Sequence, residues 1–230
     1  MNFIEKIKEK ASKDMKTIVL PESEDIRVLK TAEIISKEKL EKLLMDIQIF
    51  LLGCLTTLYF ILPAYFSNGG ALAFGGGTPL DFGKKDSNGI RWIGDGVTWR
   101  GLIAGTLIGI ITGLIQGLVA PSILSAIGPY IITPIITDVH SGIIIGFLLG
   151  FGALVGDALG SFLKRRLGIG RGKPAPFLDQ LDFIIVALIF VSPVVKLNPL
   201  FILIAIVLTL IIHLVANGGA YLLGLKDVWY

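Results

Sequence analysis

The chain has 230 residues, 53% hydrophobic and only 17% charged, too little charge to cover a soluble domain of this length, which moves the class to membrane proteins. A net charge of +3 gives no case for nucleic acid as a partner,. The single cysteine, Cys54, lies in an apolar run, which excludes a disulfide framework and a cysteine metal site,.

The charge is uneven. Residues 1–45 carry ten Lys/Arg and nine Asp/Glu and lack the apolar core of a secretory signal,. Five apolar segments follow, at 47–66, 101–120, 141–163, 177–196 and 199–224, each long enough to cross ~30 Å of hydrocarbon at ~1.5 Å per residue. They predict an all-α polytopic membrane protein of about five transmembrane helices. The fourth segment is the least regular, with Asp179 and Asp182 at its start and Pro193 at its end. Residues 121–140 are apolar but broken by Pro121, Gly128, Pro129 and Pro134, and read as an irregular or re-entrant connection,.

Glycines recur every fourth residue at 101, 105, 109, 113 and 117, again at 142, 146 and 150, and again at 152, 156 and 160. Small residues at this interval predict close helix–helix seams, because lipid supplies no hydrophobic drive for association. Lys/Arg counts then orient the chain. The connection 67–100 holds Lys84, Lys85, Arg91 and Arg100, and the one after the third segment holds Lys164, Arg165, Arg166, Arg171 and Lys173. Both are therefore expected on the cytoplasmic side, with Lys226 of the tail. Five crossings would leave the N-terminus outside, against the ten basic residues of 1–45. Residues 1–37 resemble the start of the soluble phosphate acetyltransferases, a fragment too short to hold an active site. The resemblance implies a foreign fusion segment or flexible arm over 1–45, and a five-helix transmembrane catalytic domain over 46–230. The alternative is a native amphipathic arm lying on the membrane.

The chemistry gathers on one face of the bilayer. Asp157 lies about two helical turns (~10 Å) short of Lys164, at a depth where a carboxylate costs a few kcal/mol unless a cavity, cation or partner receives it. It either pairs with a nearby arginine or binds a metal. Asp179 and Asp182, spaced i, i+3 in "LDQLD", share a helix face and follow one short loop later,. Three carboxylates at one depth repel unless a divalent cation sits among them, and oxygen-only ligands suit Mg²⁺. Between them runs "SFLKRRLGIGRGKP", whose cations and glycines describe a phosphate site as well as membrane anchoring,. The connection 67–100 is long, glycine-rich and charged through Asp81, Lys84, Lys85, Asp95 and Arg100, and lacks a P-loop pattern,. In the last segment His213 and Asn217 stand one turn apart, a pair more often interhelical glue than catalytic,.

Four stretches, "NGGALAFGGGTPLDFGKK", "GDGVTWRG", "GDALGSFLKRRLGIGRGKPAPFLDQLDF" and "HLVANGGAYLLGL", resemble the CDP-archaeol synthases over residues 46–230. The third is also similar to the C-terminal signature of phosphatidate cytidylyltransferases. The resemblance implies Mg²⁺-dependent transfer of a cytidylyl group from CTP to 2,3-di-O-geranylgeranylglyceryl phosphate, at a cell membrane, with the active site facing the cytoplasm. It implies Asp157, Asp179 and Asp182 at the metal, and Lys164, Arg165, Lys173 and Lys84 at phosphates. Asp95, Thr98 and Arg100 would help bind CTP. "GKPAPFLDQLD" lacks the histidine that the ester-lipid enzymes carry before their last aspartates, which favours the ether-lipid branch. The remaining readings are a phosphatidate cytidylyltransferase using ester lipids, and a small polytopic transporter.

Overall fold

The computed structural model describes residues 26–131, 133–170, 173 and 175–224. Arg171 and Lys226, and the first 25 residues, lie outside that set. The chain divides between Gln48 and Ile49 into two units. In the first, the described residues 26–48 are helical and their placed side chains exposed.

Five helices are present among the described residues: α1 (Ile26–Phe74), α2 (Trp99–Ile127), α3 (Val139–Arg166), α4 (Leu178–Val191) and α5 (Pro199–Leu222), with a 3₁₀ turn at Gly128–Tyr130. Among the described residues four stretches are long and apolar enough to cross a membrane: Glu33–Phe74, Trp99–Tyr130, Val139–Arg166 and Pro199–Gly219. The architecture is the all-α, polytopic one expected. α4 is the short member, 14 residues or about 21 Å at ~1.5 Å per residue.

Helix starts follow from local chemistry. Thr98 caps α2 by accepting from the Gly101 N–H, and Asp138 and Ser141 form a reciprocal capping box on α3. Asn198 accepts from the Phe201 N–H at 2.6 Å to start α5, with Pro199 next in line,. α3 ends on Lys164, Arg165 and Arg166, where positive charge complements the helix dipole.

Several boundaries differ from the sequence expectation, and α4 stops at Val191 rather than 196. α1 passes Pro63 and runs to Phe74 rather than 66, shortening the first connection to 75–98. α2 passes Pro121 and runs to Ile127, so only the stretch beyond it is irregular. A proline removes one helical hydrogen bond, a loss that neighbouring helices and local adjustment absorb in a membrane. Packing sustains the last turns of α1, where the Ser67 carbonyl and the Ala71 methyl lie against Gly105.

The glycine rows are where the helices meet. α2 and α3 pack backbone to backbone: a Cβ on Gly146 would come 2.5 Å from the Gly109 carbonyl, and one on Gly117 2.6 Å from the Asp138 carbonyl. The second row of α3 receives α4. A Cβ on Gly152 would lie 2.8 Å from the Ala187 Cα, and one on Gly156 2.7 Å from the Phe183 Cα. A core of Phe60, Ile61, Ala64, Leu149, Phe183, Ile184, Val191 and Phe201 joins α1, α3, α4 and α5. Phe60–Phe201 and Tyr65–Phe183 meet edge to face at 5.4 and 5.2 Å, and the Tyr65 hydroxyl donates to Thr209 at 2.9 Å.

A methyl group at Gly113 would strike the Gly142 carbonyl directly. Gly113→Ala should therefore lower stability by about 3 kcal/mol, read as the thermal midpoint in detergent. Gly218→Ala, with open space around it, should leave the midpoint unchanged. Equal midpoints for the two variants would show that the seam does not set stability.

Candidate active site

At one end of the bundle the 75–98 connection folds back on itself. Leu80 and Trp99 N–H groups donate to the Val97 and Thr78 carbonyls, and Asp86 and Trp92 N–H groups to Ile90 and Lys84. The organiser is Asp81, buried at 7% exposure. Its carboxylate accepts from the Gly83, Ile93 and Gly94 N–H groups at 2.9–3.0 Å and from Arg91 at 2.7 and 3.3 Å. Burial works against its charge, but the Arg91 guanidinium and these three N–H groups outweigh burial and hold the carboxyl well below the usual carboxylate range,. Arg91 also donates to Asp95 at 2.8 Å.

Two arginines at the end of α3 bind this loop to the bundle. Arg165 donates to the Ile93 carbonyl at 3.3 Å and the Ile169 carbonyl at 2.6 Å. Arg166 pairs with Asp86 and lies 5.0 Å from the centre of the Phe162 ring.

Beneath the loop is a cavity of about 310 Å³ lined from all five helices and the loop end. α1 contributes Tyr65, Asn68, Gly69 and Leu72, a stripe at i, i+3, i+4 and i+7,. Thr98, Leu154, Asp157, Phe183 and His213 complete its character. Asp157 makes no hydrogen bond or ion pair with any described residue and opens onto this space; the charged groups that act on it are Asp182, Lys164 and Asp179. Asp182 accepts from the Phe183 N–H at 2.7 Å, and its other oxygen rests against Gly160, where a side chain would displace it. Asp179 pairs with Lys164 at 2.7 Å and accepts from the Ala175 N–H at 2.9 Å.

The sequence candidates therefore separate into groups. Asp157, Asp182, Asp179 and Lys164 come together. Thr98 joins them at the cavity, with its hydroxyl oxygen also accepting from Gly76 and Gly101 at 3.2 and 3.1 Å. Arg165 and Asp95 are engaged in holding the loop. Lys84 and Lys173 are exposed. Arg100 faces a different cavity on the far side of α2, with Trp99 and Ile103. Tyr65 and Asn68, at the end of the first apolar segment and the start of the connection after it, are cavity residues that the motifs do not single out. Their helical spacing with Gly69 and Leu72 was the available signal. The wall includes neither Asp138 nor His140, so the wet path a transporter would need is not part of this cavity.

As they stand, no three His, Cys, Asp or Glu among the described residues are grouped closely enough to wrap a metal. An uncommitted carboxylate, Asp157, with Asp182 beside it still fits Mg²⁺, which takes one or two carboxylates and leaves its other positions to water and substrate phosphates,.

Five helices around a cavity that holds the Asp157 carboxylate, four stretches of the described residues being long and apolar enough to span a bilayer, define a polytopic membrane protein. Residues 47–230 match the CDP-archaeol synthase family, and the chain belongs to that family. It is 59% identical over 180 residues to the CDP-archaeol synthase of Methanothermobacter thermautotrophicus, covering 78% of this chain and 96% of that one. The corresponding protein of Methanocaldococcus jannaschii is 49% identical over 174 residues, covering 76% and 96%. A solved structure of an intramembrane enzyme for archaeal membrane lipids biosynthesis superposes with a TM-score of 0.58 at 35% identity, over 70% of this chain and 91% of that one. The chain is thus an enzyme, a CTP-dependent nucleotidyltransferase acting on a lipid phosphate. Residues 2–49 match a second family, the phosphate acetyl/butaryl transferases.

Removing Arg91 leaves Asp81 with backbone donors alone. Arg91→Ala should weaken local protection by at least about tenfold, as loss of charged hydrogen bonds to a buried carboxylate does, read by hydrogen exchange at the Ile93 and Gly94 amides. Because folding depresses the Asp81 pKa, its contribution is complete above the ordinary carboxylate value of about 3.9 and is lost only as pH falls toward the lowered one. Protection at these amides should hold steady from neutral pH down to about pH 4 in the parent chain.

Proposed function

We propose that the chain transfers the cytidylyl group of CTP to 2,3-di-O-geranylgeranylglyceryl phosphate, forming CDP-archaeol and pyrophosphate at the cytoplasmic face of the cell membrane. The observation that carries this reading is Asp157, an unpaired carboxylate opening onto the cavity below the loop, in a chain of the CDP-archaeol synthase family. A carboxylate held at that depth without a partner is costly, and a cationic ligand or wet substrate would relieve the cost. Residues 1–45 take no part in the reaction, and 46–230 form the catalytic unit.

The lipid phosphate is itself the nucleophile. One of its oxygens forms a bond to the α-phosphorus of CTP as the bond from that phosphorus to the α,β-bridging oxygen breaks, and pyrophosphate carries the electron pair away. The protein's part is to align the two phosphates and neutralise charge. Asp157 and Asp182 would hold Mg²⁺, which supplies charge neutralisation at the triphosphate when bound. Asp179 sets the position of the Lys164 ammonium, a cation within reach of phosphate oxygens. Thr98 and Asn68 offer hydrogen-bond partners on the opposite wall. Arg165 keeps the loop over the cavity through the Ile93 carbonyl.

Asp157→Asn and Asp182→Asn should each reduce turnover by on the order of 10³-fold with an unchanged thermal midpoint. Asp179→Asn should do the same by releasing Lys164. Full activity in any of these variants removes that residue from the site. With CTP, Mg²⁺ and either the unsaturated ether-lipid phosphate or an ester-lipid phosphatidate, the ether lipid should be the preferred acceptor. Equal use of both would sink the assignment of lipid class.

A further inference from the structure

The second cavity lies on the other side of α2. The helix's first turns separate the two spaces, with Thr98, Gly101 and Leu102 lining the reaction cavity and Trp99, Arg100, Ile103, Ala104 and Leu107 lining the outer one. The outer space is an open groove of about 470 Å³, which Gly76, Gly77 and Thr78 also line. Its composition is graded. Arg100 stands at the loop end, while Ile103 and Leu107, one and two turns further along, continue an apolar wall for about 12 Å from Trp99,.

Arginine and tryptophan at a helix end also serve as plain interfacial anchors. Three features go beyond anchoring. The residues line a groove rather than a convex face. Arg100 meets no acceptor among the described residues, whereas Arg91, Arg165 and Arg166 are all engaged. Gly76 and Gly77, at φ 100° and 78°, line the groove beside Arg100 without adding side chains to it. A guanidinium above an apolar wall complements an anionic head carried on a hydrocarbon chain, and its planar donors match a phosphate in two-pronged fashion. Free phosphate or nucleotide would leave the wall of Ile103, Ala104 and Leu107 without a partner.

We propose that this groove docks a lipid phosphate monoester from the bilayer, with Arg100 holding its head, one helix turn away from the reaction cavity. The proposal rests on the lipid-phosphate reading above and assigns Arg100 to the lipid rather than to CTP.

The test uses Trp99 as reporter. The full chain is placed in phosphatidylcholine nanodiscs, and a brominated-chain phosphatidate is compared with brominated phosphatidylcholine at equal mole fraction. The Trp99→Phe chain supplies the background from Trp92 and Trp229. Phosphatidate should quench Trp99 several-fold more strongly, the excess should vanish in Arg100→Gln, and Arg100→Lys should restore part of it. Equal quenching by the two lipids, or an excess that survives Arg100→Gln, overturns the proposal. Quenching requires neither CTP nor turnover, so an inactive chain that shows the Arg100-dependent excess refutes the reaction and leaves the docking site standing. In the active chain, Arg100→Gln should raise KM for the lipid phosphate about tenfold with KM for CTP unchanged. The reverse pattern would place Arg100 at the nucleotide and overturn the docking role.

Discussion

Backbone contact between α2 and α3 is the constraint on which the remaining geometry depends. At Gly109, Gly113, Gly142 and Gly146 the two helices approach so closely that a methyl group on either would meet the other's main chain. Lipid does not drive such helices together by the hydrophobic effect, so van der Waals contact over a smooth surface must do so. That contact carries Thr98, at the start of α2, up to the last turns of α3 and the cavity containing Asp157. The other glycine row of α3 seats α4 through Gly152 and Gly156 and leaves room at Gly160 for the Asp182 carboxylate. The site is assembled by what these glycines lack.

Most of the charge near the site is engaged in building it. Asp81 gathers the loop around its carboxylate, Arg91 bridges Asp81 and Asp95, and Arg165 and Arg166 fasten the loop to α3. Lys164 and Asp179 pair with each other at 2.7 Å. Against that background the unpaired Asp157 stands apart. A buried network of satisfied polar groups specifies a single arrangement, whereas an acid left without a partner in the membrane marks a place meant for something else.

α2 separates two environments at its first turn. One side is an acidic space walled by Tyr65, Asn68, Thr98 and His213; the other is an apolar groove headed by Arg100. An enzyme joining a water-soluble nucleotide to a membrane lipid must bring both to one phosphorus atom, and a single helix turn between a polar and an apolar compartment suits that task. The family relationship establishes the enzyme class, while the two faces of this turn differ in the chemistry they offer a ligand.

Composition and periodicity by themselves determined the membrane class, the helical architecture, the close seams and the grouping of Asp157, Lys164, Asp179 and Asp182, because each is written in local spacing and in the high cost of charge in hydrocarbon. Motif resemblance carried the family. Three matters were decided only in three dimensions. α1 extends past residue 66, and so brings Asn68 to the cavity, because Ser67 and Ala71 pack against the glycines of a helix some thirty-five residues away. Thr98 caps α2 while Arg100, two residues on, points to the opposite side of the same turn. Asp81 and Arg165 look in sequence like any other loop charges, yet one organises the loop and the other clamps it. Helix register and long-range partners settle such roles, and neither is encoded in the neighbours along the chain.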